Sequence, residues 1–118
     1  MNRRIATRVV DTGGVLLNTL IDEDAAEVWW ITVSPETSKT AGLIQIYDGF
    51  DAAGKLVWQW EPEEAKHANF VPPIHCEMGV FVYNDTHIGS YTIAWRPKKW
   101  DRATTKPRDV INPPAKGG

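Results

Sequence analysis

The sequence predicts an all-β protein, a single antiparallel β-sandwich of jelly-roll-like form that ends in an extended basic C-terminal arm. Three observations carry this expectation. Short runs rich in Val, Ile, Thr and aromatic residues recur about every ten residues, with turn residues between them, as sandwiches and small barrels require. Six of the 118 residues are Trp, and large rigid rings suit wide β surfaces. Four of the eight prolines (Pro97, Pro107, Pro113 and Pro114) fall beyond Trp95 among Lys, Arg, Thr and Gly, a composition that builds no core of its own. The expected division is therefore a sandwich over residues 1–95 and an arm over 96–118. A chain of this length supports one core and buries roughly two thirds of its unfolded surface, so neither disulfide nor metal is required for folding.

The strands follow in order. Arg4–Val10 precedes the turn Asp11-Thr12-Gly13-Gly14, where glycine permits positive φ. Val15–Ile21 is the second apolar run. The polar break 22–26 leads to Glu27–Val33, which contains consecutive Trp29 and Trp30; alternation predicts that one of them faces inward. Gly42–Tyr47 and Lys55–Trp60 read as a hairpin around 48–54, and period two places Trp58 and Trp60 on one face. Glu61–Lys66 is the one competing helical signal, too short for more than about a turn. His67–Val71 reads as a short strand stopped by Pro72-Pro73. Met78–Tyr83 and Ser90–Trp95 read as a second hairpin around Asn84–Gly89.

Charge and cysteine usage narrow the function classes. The net charge of −2 combines an acidic body, six Lys/Arg against 13 Asp/Glu over residues 1–95, with a basic end, seven against two over 96–118. The basic arm is expected to lie on an acidic surface, its own or a neighbour's. The acidic body repels phosphate, which disfavours nucleic acid as a partner. One cysteine, Cys76, excludes an internal disulfide and fits folding in a reducing compartment. The first ten residues have neither the apolar core nor the cleavage site of a leader, and no run approaches the roughly 18 apolar residues of a membrane span.

His67, His75, Cys76 and His87 lie close in sequence, but adjacent His75 and Cys76 point to opposite faces of a strand and lack zinc-site spacing; Cys76 reads as a small buried hydrophobe. Asp48-Gly49-Phe50-Asp51 lacks the acidic spacing of a calcium loop and reads as a turn in which Asp48 bonds the local backbone. No motif places Cys76 or a serine as a nucleophile, and Glu61, Glu63 and Glu64 read as a solvated loop. No catalytic residue, metal or cofactor is expected. The candidate protein interface is Arg96, Lys98, Lys99, Trp100 and Arg102, cations around an aromatic anchor. Trp58 and Trp60 join it if their shared face is exposed; if that face is inward, they belong to a packed core.

Trp29–Ser34, Ala41–Val57, Met78–Asn84 and Ser90–Trp95 together resemble small β-sandwich structural proteins of tailed bacteriophages. A strand ends in Ile46-Tyr47-Asp48-Gly49, a polar loop closes on Ala53-Gly54-Lys55, and Gly79-Val80-Phe81-Val82 precedes Tyr91-Thr92-Ile93. The resemblance spans roughly residues 28–95. It implies a virion component without catalytic residues, folded in the host cytoplasm. The expected role is a capsid decoration or cement protein that contacts the major capsid protein or another virion protein. A homo-oligomer is expected, with a trimer preferred by analogy. The alternative is a head-fibre, tail or neck accessory protein whose sandwich binds carbohydrate through Trp30, Trp58 or Trp60.

Overall fold

Alternating apolar residues form strands because a pleated chain can then bury one face and expose the other. The computed structural model describes residues 5–37 and 40–99. It contains β1 (Ala6–Asp11), β2 (Leu17–Asp22), β3 (Ala26–Pro35), β4 (Ile44–Asp48), β5 (Lys55–Trp60), β6 (Lys66–Cys76), β7 (Val80–Asn84) and β8 (Ile88–Pro97). Each corresponds to an expected strand. The 61–65 segment forms bends, not a helical turn.

The strands make two four-stranded antiparallel sheets, ordered β1-β8-β3-β6 and β2-β7-β4-β5. Only the β4–β5 connection stays within one sheet; every other connection crosses the sandwich, which is the double Greek key of a jelly roll. The inner faces meet in a core of aliphatic side chains, including Val28, Ile31 and Val33 of β3, Ile44 and Ile46 of β4, Val80 and Val82 of β7 and Ile93 of β8, all fully buried. Each such side chain contributes about 1.5–3 kcal/mol relative to exposure.

The expected hairpin of the seventh and eighth strands does not form. β7 pairs with β2 and β4, whereas β8 pairs with β1 and β3. Both are central strands, and their apolar faces meet across the core instead of lying side by side. Alternation and a short polar loop describe both arrangements equally well.

The sixth strand also departs from expectation, because Pro72-Pro73 does not end it. Val28 pairs with Ile74 and Trp30 with Asn69, so Phe70–Pro73 loop out opposite Trp29 and the ladder then resumes to Cys76. β6 is an edge strand, and there a proline forfeits no ladder hydrogen bond on its open side. The Val71–Pro72 bond is cis.

The sandwich extends past residue 95. Arg96 pairs with Glu27 and Pro97 with Ala26. The Lys98 amide donates to the Ala25 carbonyl at 3.0 Å, and Lys99 Nζ donates to Asp24 Oδ2 at 3.1 Å. The remainder of the expected arm, with Trp100 and Arg102, lies outside the described residues.

Candidate interaction surface

Exposed apolar side chains concentrate along one edge of the sandwich. β1 and β2 are edge strands of opposite sheets, joined by a short loop in which Gly13 and Gly14 take φ of 59° and 75°. Their left-handed backbone turns the chain from one sheet to the other. The Thr12 hydroxyl donates to the Ile88 carbonyl, and the Thr12 and Gly13 amides donate to Gly89. Asn84, fully buried, donates from Nδ2 to the Val15 carbonyl at 3.0 Å. The loop is thus fixed to β7 and β8, yet its apolar side chains face outward. Of nine exposed large hydrophobic residues among those described, five (Ile5, Val9, Val15, Leu16 and Leu20) belong to this β1–β2 unit, with Val9 69% exposed.

These residues were not among the expected site residues, although the sequence carries their signal. Val9-Val10, Val15-Leu16-Leu17 and Leu20-Ile21 are consecutive apolar residues, and a regular strand turns neighbours to opposite faces. Val10 and Ile21 are buried, which leaves Val9 and Leu20 outside.

The expected interface residues that are described divide between two places. Arg96, Lys98 and Lys99 stand where the chain leaves β8, beside the acidic 22–24 loop. Hydrogen bonding and attraction from Asp24 hold the Lys99 amine above its ordinary range. Trp58 and Trp60 share a face, as expected, and that face is the inner one: both are half-buried and pack against the core. Their rings meet edge to face at 5.5 Å, and Trp58 meets Phe70 of the opposite sheet at 5.4 Å. They close the sandwich between edge strands β5 and β6.

Trp29 and Trp30 correct the alternation argument. Val28 and Ile31 are both fully buried, and both ladders of β3 skip Trp29. Such a bulge puts two consecutive residues on the outer side. Trp30 there lies 5.4 Å from the His67 ring. His67 is bonded to Thr32 Oγ1 at 2.6 Å and to Asn69 Oδ1 at 2.9 Å.

At the chain-exit end, Asp48 reaches across to another loop instead of bonding its own turn. Its carboxylate accepts from the amides of Glu77, Met78 and Gly79 at 2.9, 2.8 and 3.4 Å. Burial pushes its pKa up, but those three donors and nearby Lys55 outweigh burial and hold it below its ordinary 3.8. The loops approach so closely that a Cβ at Gly79 would meet the carbonyl oxygens of Asp22 and Gly49 at 2.8 Å.

His75 is exposed and lies 3.7 Å from Glu27 Oε2, whereas Cys76 is fully buried. Burial, with Asp48 nearby, pushes the Cys76 thiol up to about 12, which disfavours its thiolate form. Among the described residues, no three His, Cys, Asp or Glu side chains converge as metal ligands. Among the described residues, no helix is long and apolar enough to cross a membrane. Comparison with protein-family models gives no match, and comparison with curated proteins gives none.

Proposed function

We propose that the protein is a virion structural protein, a capsid decoration or cement protein that stabilises a shell through protein–protein contacts. The observation that carries this reading is the apolar β1–β2 side. Five large exposed hydrophobic residues along the anchored β1–β2 edge are the property of a surface that is covered in use. Covering apolar surface yields about 25 cal/mol per Å², and repetition over many copies multiplies a modest contact. The jelly roll fits a capsid role but also occurs in lectins and cupins, so fold alone does not choose. The segment 100–118 adds four Lys/Arg against two Asp/Glu and supplies the clamp onto an acidic neighbour, with Trp100 as its anchor. A homo-oligomer, with a trimer preferred, belongs to the same proposal.

The test is co-sedimentation of the purified chain with capsids in rising salt. Val9→Lys and Val15→Lys, which place charge on the apolar side without touching the core, are expected to weaken binding at least tenfold. Deletion of 100–118 is expected to remove the salt-sensitive part. Deletion from residue 96 is a poor test, since Arg96 and Pro97 complete β8. Unchanged co-sedimentation of all three variants overturns the reading.

A further inference from the structure

The outer face of the β2-β7-β4-β5 sheet has a chemistry unlike the rest of the surface. Register places Asn18, Tyr83, Gln45 and Gln59 in one row across its four strands and Leu20, Phe81, Tyr47 and Leu56 in the next. Their ladder neighbours Val80, Val82, Asn84, Ile44 and Ile46 are fully buried on the inner side, which fixes these eight side chains on the outer one. None of the eight carries a charge, in a chain that is 24% charged. At strand spacings of about 4.8 Å each row runs roughly 14 Å across the sheet.

Gln45 and Gln59 of the polar row are held in place by hydrogen bonds. The Tyr47 hydroxyl donates to Gln45 Oε1 at 2.8 Å, and Gln45 Nε2 donates to Gln59 Oε1 at 2.9 Å. Tyr47 in turn packs edge to face on Phe81 at 6.1 Å. These two hydrogen bonds leave Gln45 one amide hydrogen and Gln59 both of its own. The amides are therefore fixed in direction before any ligand arrives, which lowers the entropy cost of binding.

We propose that this face binds a neutral glycan chain, with Gln45, Gln59 and Tyr83 as hydrogen-bonding groups and Tyr47 with Leu56 as the apolar support. A sugar ring presents a C–H face to phenol and leucine surfaces, and its rim hydroxyls both donate and accept, as an amide does. A charged ligand finds no counter-ion in either row. A protein surface laid on the row must supply a partner to each amide or pay for its desolvation, whereas a polyhydroxylated chain brings donors and acceptors at every ring. This inference does not rest on the particle reading; the side chains it assigns to the ligand are not those of the β1–β2 apolar edge, and the two surfaces share Leu20 alone.

The test is calorimetric titration of the full chain with cellohexaose, maltohexaose and mannohexaose, with polygalacturonate as the charged control. Side-chain amide signals of Gln45 and Gln59 are followed by NMR. The expected result is saturable binding to a neutral oligosaccharide at millimolar concentration or below, with both amide signals shifted. Gln59→Ala, an exposed position, is expected to lower affinity about tenfold, the loss of one or two ligand hydrogen bonds. Tyr83→Phe, which keeps the ring and the fold, is expected to weaken binding as well, while Val9→Lys leaves it unchanged. Absence of heat and of amide shifts with all three oligosaccharides overturns the proposal. Stronger binding of polygalacturonate does the same, as does concentration-dependent self-association that buries the two amides.

Discussion

Asp48 does the most structural work of any single carboxylate among the described residues, since one side chain ties the 77–79 loop to the end of β4. Asp48→Ala leaves three amides without that acceptor and is expected to cost about 2 kcal/mol, read as a shift in the urea midpoint at neutral pH. The folded-state pKa lies below the ordinary 3.8, so the carboxylate's contribution is fully present above that value. It is lost as pH falls through the depressed one. The difference between wild type and Asp48→Ala is therefore expected to shrink on acidification below pH 3.8, and a difference independent of pH contradicts the assignment. That Asp48 ends a strand at a turn was legible in the sequence. Its true partners were not, because local spacing does not tell which loops share an end of the sandwich. Cys76 was legible as a buried hydrophobe for the opposite reason: its face follows from that of its immediate neighbour His75.

At the scale of elements, the strands were readable but their irregularities were not. β2, β3 and β5 each skip a residue in their ladders, at Ile21, Trp29 and Val57. Each skip changes which neighbours share a face. In β5 the skip lets Val57 and Trp58 both pack against the core; in β3 it moves Trp29 and Trp30 together to the outside. Trp58 and Phe70 then join the edges of the two sheets through one aromatic contact. Trp58→Ala is expected to cost about 3 kcal/mol, and a double-mutant cycle with Phe70→Ala is expected to return a coupling of about 1 kcal/mol. Additive losses in denaturant unfolding contradict the closure described for β5 and β6. The β7–β8 pairing was misread because a hairpin and a sheet-to-sheet crossing use the same alternation and the same short polar loop. What distinguishes them is that β7 and β8 each have neighbours on both sides, a property of the whole fold.

For the whole molecule, the acidic body and the basic end were plain from composition, and the sandwich class followed from strand spacing. The location of the apolar surface was not plain, since it depends on β1 and β2 being edges of opposite sheets on the same side. Two surfaces have contrasting chemistry: an apolar β1–β2 edge, proposed to meet protein, and an uncharged amide and phenol row, proposed to meet glycan. The proposed function requires that the β1–β2 edge be covered when the protein is bound to a particle. Hydrogen–deuterium exchange of the chain alone and bound to capsids measures this directly. The account predicts slowed exchange concentrated in residues 5–20 on the particle, with the β3–β8 ladder unchanged. Equal exchange over residues 5–20 in the two states contradicts it.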